Sequence, residues 1–139
     1  MFPQLPSVPE VLEALRQDRI TAFTIEHNDY AEVRLGRAGR VLVALRREAL
    51  PVVAAALASE AHLYYGGTGQ GSPDAEARLS RNPSDPEVLT TPQGPPLPLR
   101  LRDYALLILA QIRGERCGFG PGTPFAIRDE LYHRAWLTL

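Results

Sequence analysis

The chain has 139 residues, a net charge of −1 and 45% apolar residues, which predicts one globular domain spanning residues 1–139. This near-balanced charge excludes a global electrostatic field that would select nucleic acid or a membrane surface. All fifteen basic residues are arginine, which excludes a lysine Schiff base and a lysine-bearing phosphate loop. The single cysteine allows no internal disulfide, and no apolar run approaches the roughly 20 residues of a membrane span. We therefore expect a cytoplasmic protein with no membrane partner.

The N-terminal third is predicted to form one helix followed by three strands. The sequence "SVPE" at 7–10 has the spacing of a capping box, so a helix is expected to begin there and to end near Arg19. Apolar residues then alternate in three segments, which predicts strands at 20–27, 31–35 and 40–46.

The connection at 36–39, "GRAG", has a glycine at each end, which is typical of a hairpin turn. Alanine-rich residues 48–61 predict a second helix, and 62–65 would supply a fourth strand. The predicted fold class is therefore α+β. It is an antiparallel three- to four-stranded meander with helices packed on one face, in the order α-β-β-β-α-β.

The second half begins with a long Gly/Pro-rich connection at 67–98. Its glycine spacing matches neither a dinucleotide-binding nor a phosphate-loop pattern, so we predict no cofactor and interpret it as a mobile loop. One or two C-terminal helices follow. Residues 99–115 predict a helix that ends at Gly114, and residues 123–139 favour a helix over a competing hairpin.

Five arginines and no acidic residue lie between residues 33 and 47. Strand alternation would turn Val41, Val43 and Leu45 towards the core and would leave Arg34, Arg40 and Arg46 on an outer face with a mildly apolar centre. Such a face suits a protein partner, including a second copy of the chain, or the phosphates of nucleic acid, or simply solvent. The candidate binding residues are Arg34, Arg37, Arg40, Leu42, Arg46 and Arg47, together with Tyr64 and Tyr65 beside the long connection.

Candidate catalytic groups are few. His27 and Asp29 lie in a predicted turn, where a carboxylate could orient the imidazole. Cys117 has Arg113 and Arg116 close in sequence, and neighbouring cations would lower the pKa of its thiol. The three histidines lack any metal-ligand spacing, so no metal site is predicted.

Three functions remain open. The first is a small non-enzymatic binding or adaptor module, expected to be a homodimer, that uses the outer sheet face and the 64–98 segment. The second is a nucleic-acid-binding protein with an arginine-rich hairpin at 34–47. The third is a small hydrolase or transferase built around the catalytic candidates. The absence of a coherent catalytic set in the sequence favours the first.

Overall fold

The computed structural model describes residues 7–20, 22–26, 29–64, 99–120 and 122–139, and these residues are mostly helical. In chain order they form α1 (Val8–Arg16), β1 (Ala22–Glu26), β2 (Asp29–Arg34), α2 (Arg37–Leu45), α3 (Leu50–Leu57), α4 (Leu101–Arg113) and α5 (Phe125–Leu137). A short 3-10 helix, Arg46–Ala49, joins α2 to α3. The predicted connection at 67–98, His27 and Tyr65 lie outside the described residues.

The predicted three- to four-stranded meander is wrong. Strands β1 and β2 are present and pair antiparallel, with a register irregularity between Thr24 and Ile25. The predicted third strand at 40–46 instead belongs to α2 and the start of the 3-10 helix. The predicted fourth strand at 62–65 contributes one isolated bridge, between His62 and Arg100. Within the described residues the fold is therefore a helical assembly with one two-stranded ladder.

Helix α2 forms in place of the predicted third strand. Its sequence fits both the two-residue repeat of a strand and the 3.6-residue repeat of a helix. Alternation would bury Val41 and Leu45, but these two side chains are exposed. The buried positions of α2 are instead Gly39 and Leu42, three residues apart, as expected for one face of a helix.

The other helices agree better with the sequence. Helix α1 is capped by Ser7, whose hydroxyl accepts a hydrogen bond from the N–H of Glu10 at 3.4 Å. Helix α4 ends at Gly114, which has a φ of 68° and so adopts the left-handed conformation that favours glycine. The C-terminal segment is a helix, α5, and not a hairpin. Helix α3 is shorter than the predicted 48–61.

Helix α4 is the centre of the core. Every residue from Asp103 to Leu109 is buried, and the helix packs most extensively against α3 and then against α2 and α5. The segment after α4 runs beside β2, where the N–H of Tyr30 donates to the carbonyl of Phe119 at 3.0 Å. Helices α2 and α5 both keep an exposed side.

Candidate functional site

A carboxylate and a hydroxyl from distant parts of the chain cap the N-terminus of α2. Asp18 accepts hydrogen bonds from the N–H groups of Ala38 at 3.1 Å and Gly39 at 2.7 Å. The hydroxyl of Tyr104 donates to Asp18 at 2.7 Å and accepts from the N–H of Gly36 at 3.0 Å. A helix N-terminus has unpaired N–H groups and a partial positive charge, so this carboxylate stabilises α2 where it begins.

Burial and charge keep the phenol of Tyr104 in this cap protonated. Burial, followed by the nearby carboxylate of Asp18, raises the pKa of Tyr104 far above its usual range. The phenol therefore remains a hydrogen-bond donor to Asp18 at neutral pH.

The two glycines of "GRAG" allow the close approach that the cap requires. A Cβ on Gly36 would lie 2.5 Å from Cγ of Asp18, and a Cβ on Gly39 would lie 2.5 Å from the hydroxyl oxygen of Tyr104. The hairpin-turn interpretation of these glycines is therefore wrong, because they provide space at the start of a helix rather than a reversal of the chain.

The cap fixes α2 so that one side faces solvent, and we call this side the helix-2 face. It consists of Arg37, Arg40, Val41, Ala44 and Leu45, all of which are exposed. Val41 is 53% exposed and Leu45 is 43% exposed, and the two are adjacent because they are four residues apart. Neither the guanidinium of Arg37 nor that of Arg40 forms a hydrogen bond or ion pair within the described part of the chain. The helix-2 face thus combines an apolar pair with two positive charges that no described carboxylate neutralises.

Two further arginines continue the positive charge beyond α2. Arg46 and Arg47 are exposed, and Glu48 is the acidic residue that follows them. Arg46 has a φ of 52° and a ψ of −118°, a conformation that residues with a side chain rarely adopt. Such backbone strain costs about 1–3 kcal/mol and is often found at functional sites.

The remaining predicted binding residues lie elsewhere. Leu42 is only 4% exposed and packs in the core, so its assignment to a contact surface is wrong. Tyr64 is exposed, but it packs against α1. Arg16 stacks over its ring at 4.3 Å, and its hydroxyl donates to Glu13 at 3.2 Å. Arg34 is exposed on β2 and already has an interaction partner. The structure therefore groups Arg37 and Arg40 on one helix face and places Arg46 and Arg47 just after it.

Two of the candidate catalytic residues do meet. The Sγ of Cys117 lies 3.6 Å from Oδ1 of Asp29 and donates to the carbonyl of Phe119 at 3.2 Å. Burial raises the pKa of Cys117 to about 12, with the Asp29 carboxylate adding to the effect. The expectation that neighbouring arginines lower this pKa is wrong, because burial dominates and Arg116 pairs with Asp29 at 3.4 Å. The thiol is therefore protonated at neutral pH and a weak nucleophile.

A second group of charged residues is buried between α4 and α5. Arg128 is fully buried, and its guanidinium donates to Asp103 at 3.0 Å and to the carbonyls of Thr123 and Gly120 at 2.9 and 3.1 Å. Asp103 also accepts from the guanidinium of Arg100 at 2.8 Å. In the described residues no buried side-chain nitrogen or oxygen lacks a partner, so this network is closed. We interpret it as the structural link between α4, α5 and the segment that joins them.

The network extends to the surface at Asp129. This carboxylate accepts from Arg100 at 2.8 Å and from Arg102 at 3.2 Å. Burial alone would raise the pKa of Asp129, but the hydrogen bonds and charges of the two arginines outweigh it and hold the pKa below its usual range. Arg102 in turn stacks over the ring of Tyr132 at 4.1 Å.

Sequence reasoning missed the helix cap and the buried network. One signal was available for the network, since Asp103 directly precedes the apolar run of α4 and a buried carboxylate requires a partner. No comparable signal identifies Asp18 as the cap of α2, because it lies 20 residues before the N–H group that it binds.

Comparison with protein-family models, curated proteins and solved structures finds no match to this chain. The described residues contain no group of three or more histidine, cysteine, aspartate or glutamate side chains placed to hold a metal ion. None of the helices described here combines the length and the hydropathy that crossing a membrane requires. The helix-2 face is therefore the candidate site on the grounds of its own geometry.

Proposed function

We propose that this chain is a non-enzymatic cytoplasmic protein-binding module that presents the helix-2 face to a partner protein with acidic side chains. The observation that carries the proposal is the exposure of Val41 and Leu45 on the same helix side as Arg37 and Arg40. Apolar contact would supply affinity, and the arginines would supply orientation and discrimination. The lone Cys117, without a disulfide partner, supports the cytoplasmic location.

The apolar centre favours a protein over nucleic acid as the partner. Nucleic-acid binding through arginine depends mainly on phosphate contacts, which would place charged oxygens against Val41 and Leu45. Covering these two half-exposed side chains with apolar groups contributes roughly 1 kcal/mol each. Only a partner with apolar side chains can supply this free energy of burial, and only one that also has carboxylates can pair with the arginines.

The positive charge also argues against a second copy of the chain as the occupant of this face. A two-fold contact places the same residues on both sides, so Arg37 and Arg40 would face their own copies. Like charges placed opposite one another are unfavourable. An acidic amphipathic helix, with leucines on one side and glutamates at its edges, complements the face in both respects.

The test is fluorescence anisotropy with such a labelled helical peptide, a scrambled peptide of the same composition, and a labelled single-stranded oligonucleotide. We expect the patterned peptide to bind best, and Leu45→Ser to weaken it about fivefold to tenfold. Leu137→Ser is the control and leaves binding unchanged, because Leu137 is an exposed leucine on α5, away from the helix-2 face.

Two results would contradict the proposal. If the scrambled peptide binds as well as the patterned one, the face is only a cationic surface. If the oligonucleotide binds more tightly than either peptide, with an affinity that falls steeply as salt increases, the nucleic-acid function replaces this one.

Self-association is the second candidate function, and a different surface supports it. Four large apolar residues are exposed on or directly after α5: Ile127, Trp136, Leu137 and Leu139. The nearby charged residues, Glu130 and Arg134, have opposite signs. A two-fold contact could therefore pair Glu130 of one copy with Arg134 of the other. Light scattering over a concentration series tests this. Leu137→Gln should lower the mean molar mass, and a monomer at every concentration would exclude it.

A further inference from the structure

An open groove lies between α4 and α5, and we call it the α4–α5 groove. Its volume is about 240 Å³. Its floor is apolar and includes Leu106, Leu109 and Leu131, and its rim includes Arg113, Arg116 and Arg134. No residue of α2 lines the groove, so it is separate from the helix-2 face.

The three rim arginines differ in how far their charge is neutralised. Arg116 pairs with Asp29 at 3.4 Å. Arg113 donates to the backbone carbonyl of Thr138 at 2.9 Å, which orients its guanidinium without cancelling its charge. Arg134 is exposed, and its guanidinium forms no hydrogen bond or ion pair with the described residues. Glu115 also lines the groove, so a net positive charge remains beside the apolar floor.

We propose that the α4–α5 groove binds a small monocarboxylate with an apolar tail. The carboxylate lies against Arg134 and Arg113, because a guanidinium fork matches the geometry of a carboxylate. The tail covers the leucines of the floor. The groove exceeds the roughly 150 Å³ that accommodates benzene in an engineered cavity and falls below the roughly 300 Å³ of the smallest drug-sized sites. The ligand is therefore a medium-chain or single-ring acid rather than a long-chain lipid.

Calorimetric titration of the full chain with octanoate tests the proposal. Octanol, octylammonium and acetate are the matched probes, since they remove the charge, reverse it and remove the tail. We expect saturable octanoate binding with a Kd between about 10 µM and 1 mM. The three other probes should bind at least about tenfold more weakly.

Substitutions locate the site. Arg134→Gln should weaken octanoate binding about fivefold or more, because a charge-assisted hydrogen bond is lost. Because Arg134 is exposed and has no described partner, the variant should fold normally. Arg47→Gln, on the 3-10 helix, is the control and should bind as the wild type does. Ala110→Leu, which fills the groove without changing charge, should also reduce binding.

Cys117 supplies a second readout because it also lines the groove. Octanoate should slow the alkylation of its thiol by iodoacetamide, with a midpoint equal to the calorimetric Kd. The proposal is overturned if octanol binds as tightly as octanoate, if Arg47→Gln weakens binding as much as Arg134→Gln, if titration does not saturate, or if octanoate binds without slowing alkylation.

Discussion

Two regions of the molecule use arginine in opposite ways. Between α4 and α5, Arg128 is fully buried and surrounded by a carboxylate, two carbonyls and the rings of Phe119 and Phe125 at 5.1 and 5.3 Å. On α2, Arg37 and Arg40 are exposed and have no described carboxylate partner. Removing a buried charge from water is costly unless every donor is satisfied, whereas an exposed guanidinium keeps its hydration. Burial thus separates arginines that maintain the fold from arginines available to a partner.

Of the substitutions that test this comparison, Arg128→Met is expected to have the largest effect on stability. It would remove the guanidinium donor to the carbonyls of Thr123 and Gly120, and it would leave Asp103 with one arginine instead of two. We expect the free energy of unfolding to fall by about 3–5 kcal/mol. Arg47→Met is the matched control and should change it by less than about 0.5 kcal/mol. Equal losses in the two variants, measured by urea unfolding, would mean that burial does not distinguish the two sets of arginines.

Gly39→Ala is the second expected effect, and it acts on the cap that orients the helix-2 face. The new Cβ would lie 2.5 Å from the buried hydroxyl of Tyr104. We expect a loss of about 1–3 kcal/mol, the usual cost of overpacking. Tyr104→Phe removes the clashing oxygen, so Gly39→Ala should cost less in that background. A cost that is the same in both backgrounds, measured by denaturant unfolding, would exclude the proposed steric contact.

The helix cap also explains which parts of the fold the sequence could predict. Helices α1 and α4 are identified by signals within their own segments, a hydroxyl at Ser7 and a glycine at Gly114. Helix α2 begins where Asp18 and Tyr104 meet it, and both are remote in sequence. Without these contacts, alternation in "RVLVALR" favours a strand, and period-2 reasoning turned Val41 and Leu45 to the wrong side.

The candidate site was predictable only in part for the same reason. The sequence places Arg37, Arg40, Arg46 and Arg47 close together, and this part of the prediction holds whether the segment is a strand or a helix. The assignment of Leu42 to the surface depended on strand alternation, and it is wrong because the segment is a helix that buries Leu42. The α4–α5 groove joins residues from two helices and the segment between them, an arrangement that no local pattern in the sequence indicates.

Arg46→Gly should produce a smaller change of opposite sign, because it removes strain from an exposed arginine without breaking a described contact. Glycine adopts a φ of 52° without steric cost, so we expect a gain of about 1 kcal/mol in unfolding free energy. The control is Arg47→Gly, a neighbouring residue without positive φ, which should be neutral or destabilising. A loss of stability in Arg46→Gly would show that this arginine contributes to the fold after all.

Asp129 provides the smallest predicted effect, at the boundary between the buried and exposed arginines. Its pKa is held below the ordinary value of 3.8, so its contribution is fully present above that value and is lost as the pH falls through the lower, folded pKa. Asp129→Asn should therefore be less stable than the wild type at pH 7 by about 1 kcal/mol or less, and the difference should vanish in acid. The measurement is thermal unfolding between pH 7 and pH 2.5.

Glu60→Gln is the matched control, since Glu60 also pairs with Arg102, at 3.3 Å, but its side chain is 71% exposed. An exposed pair of this kind contributes little, so this variant should follow the wild-type pH profile throughout. If Asn at 129 and Gln at 60 gave the same profile, the carboxylate of Asp129 would belong with the solvated surface charges. The buried network would then end at Asp103, and Arg100 would be held by that single carboxylate.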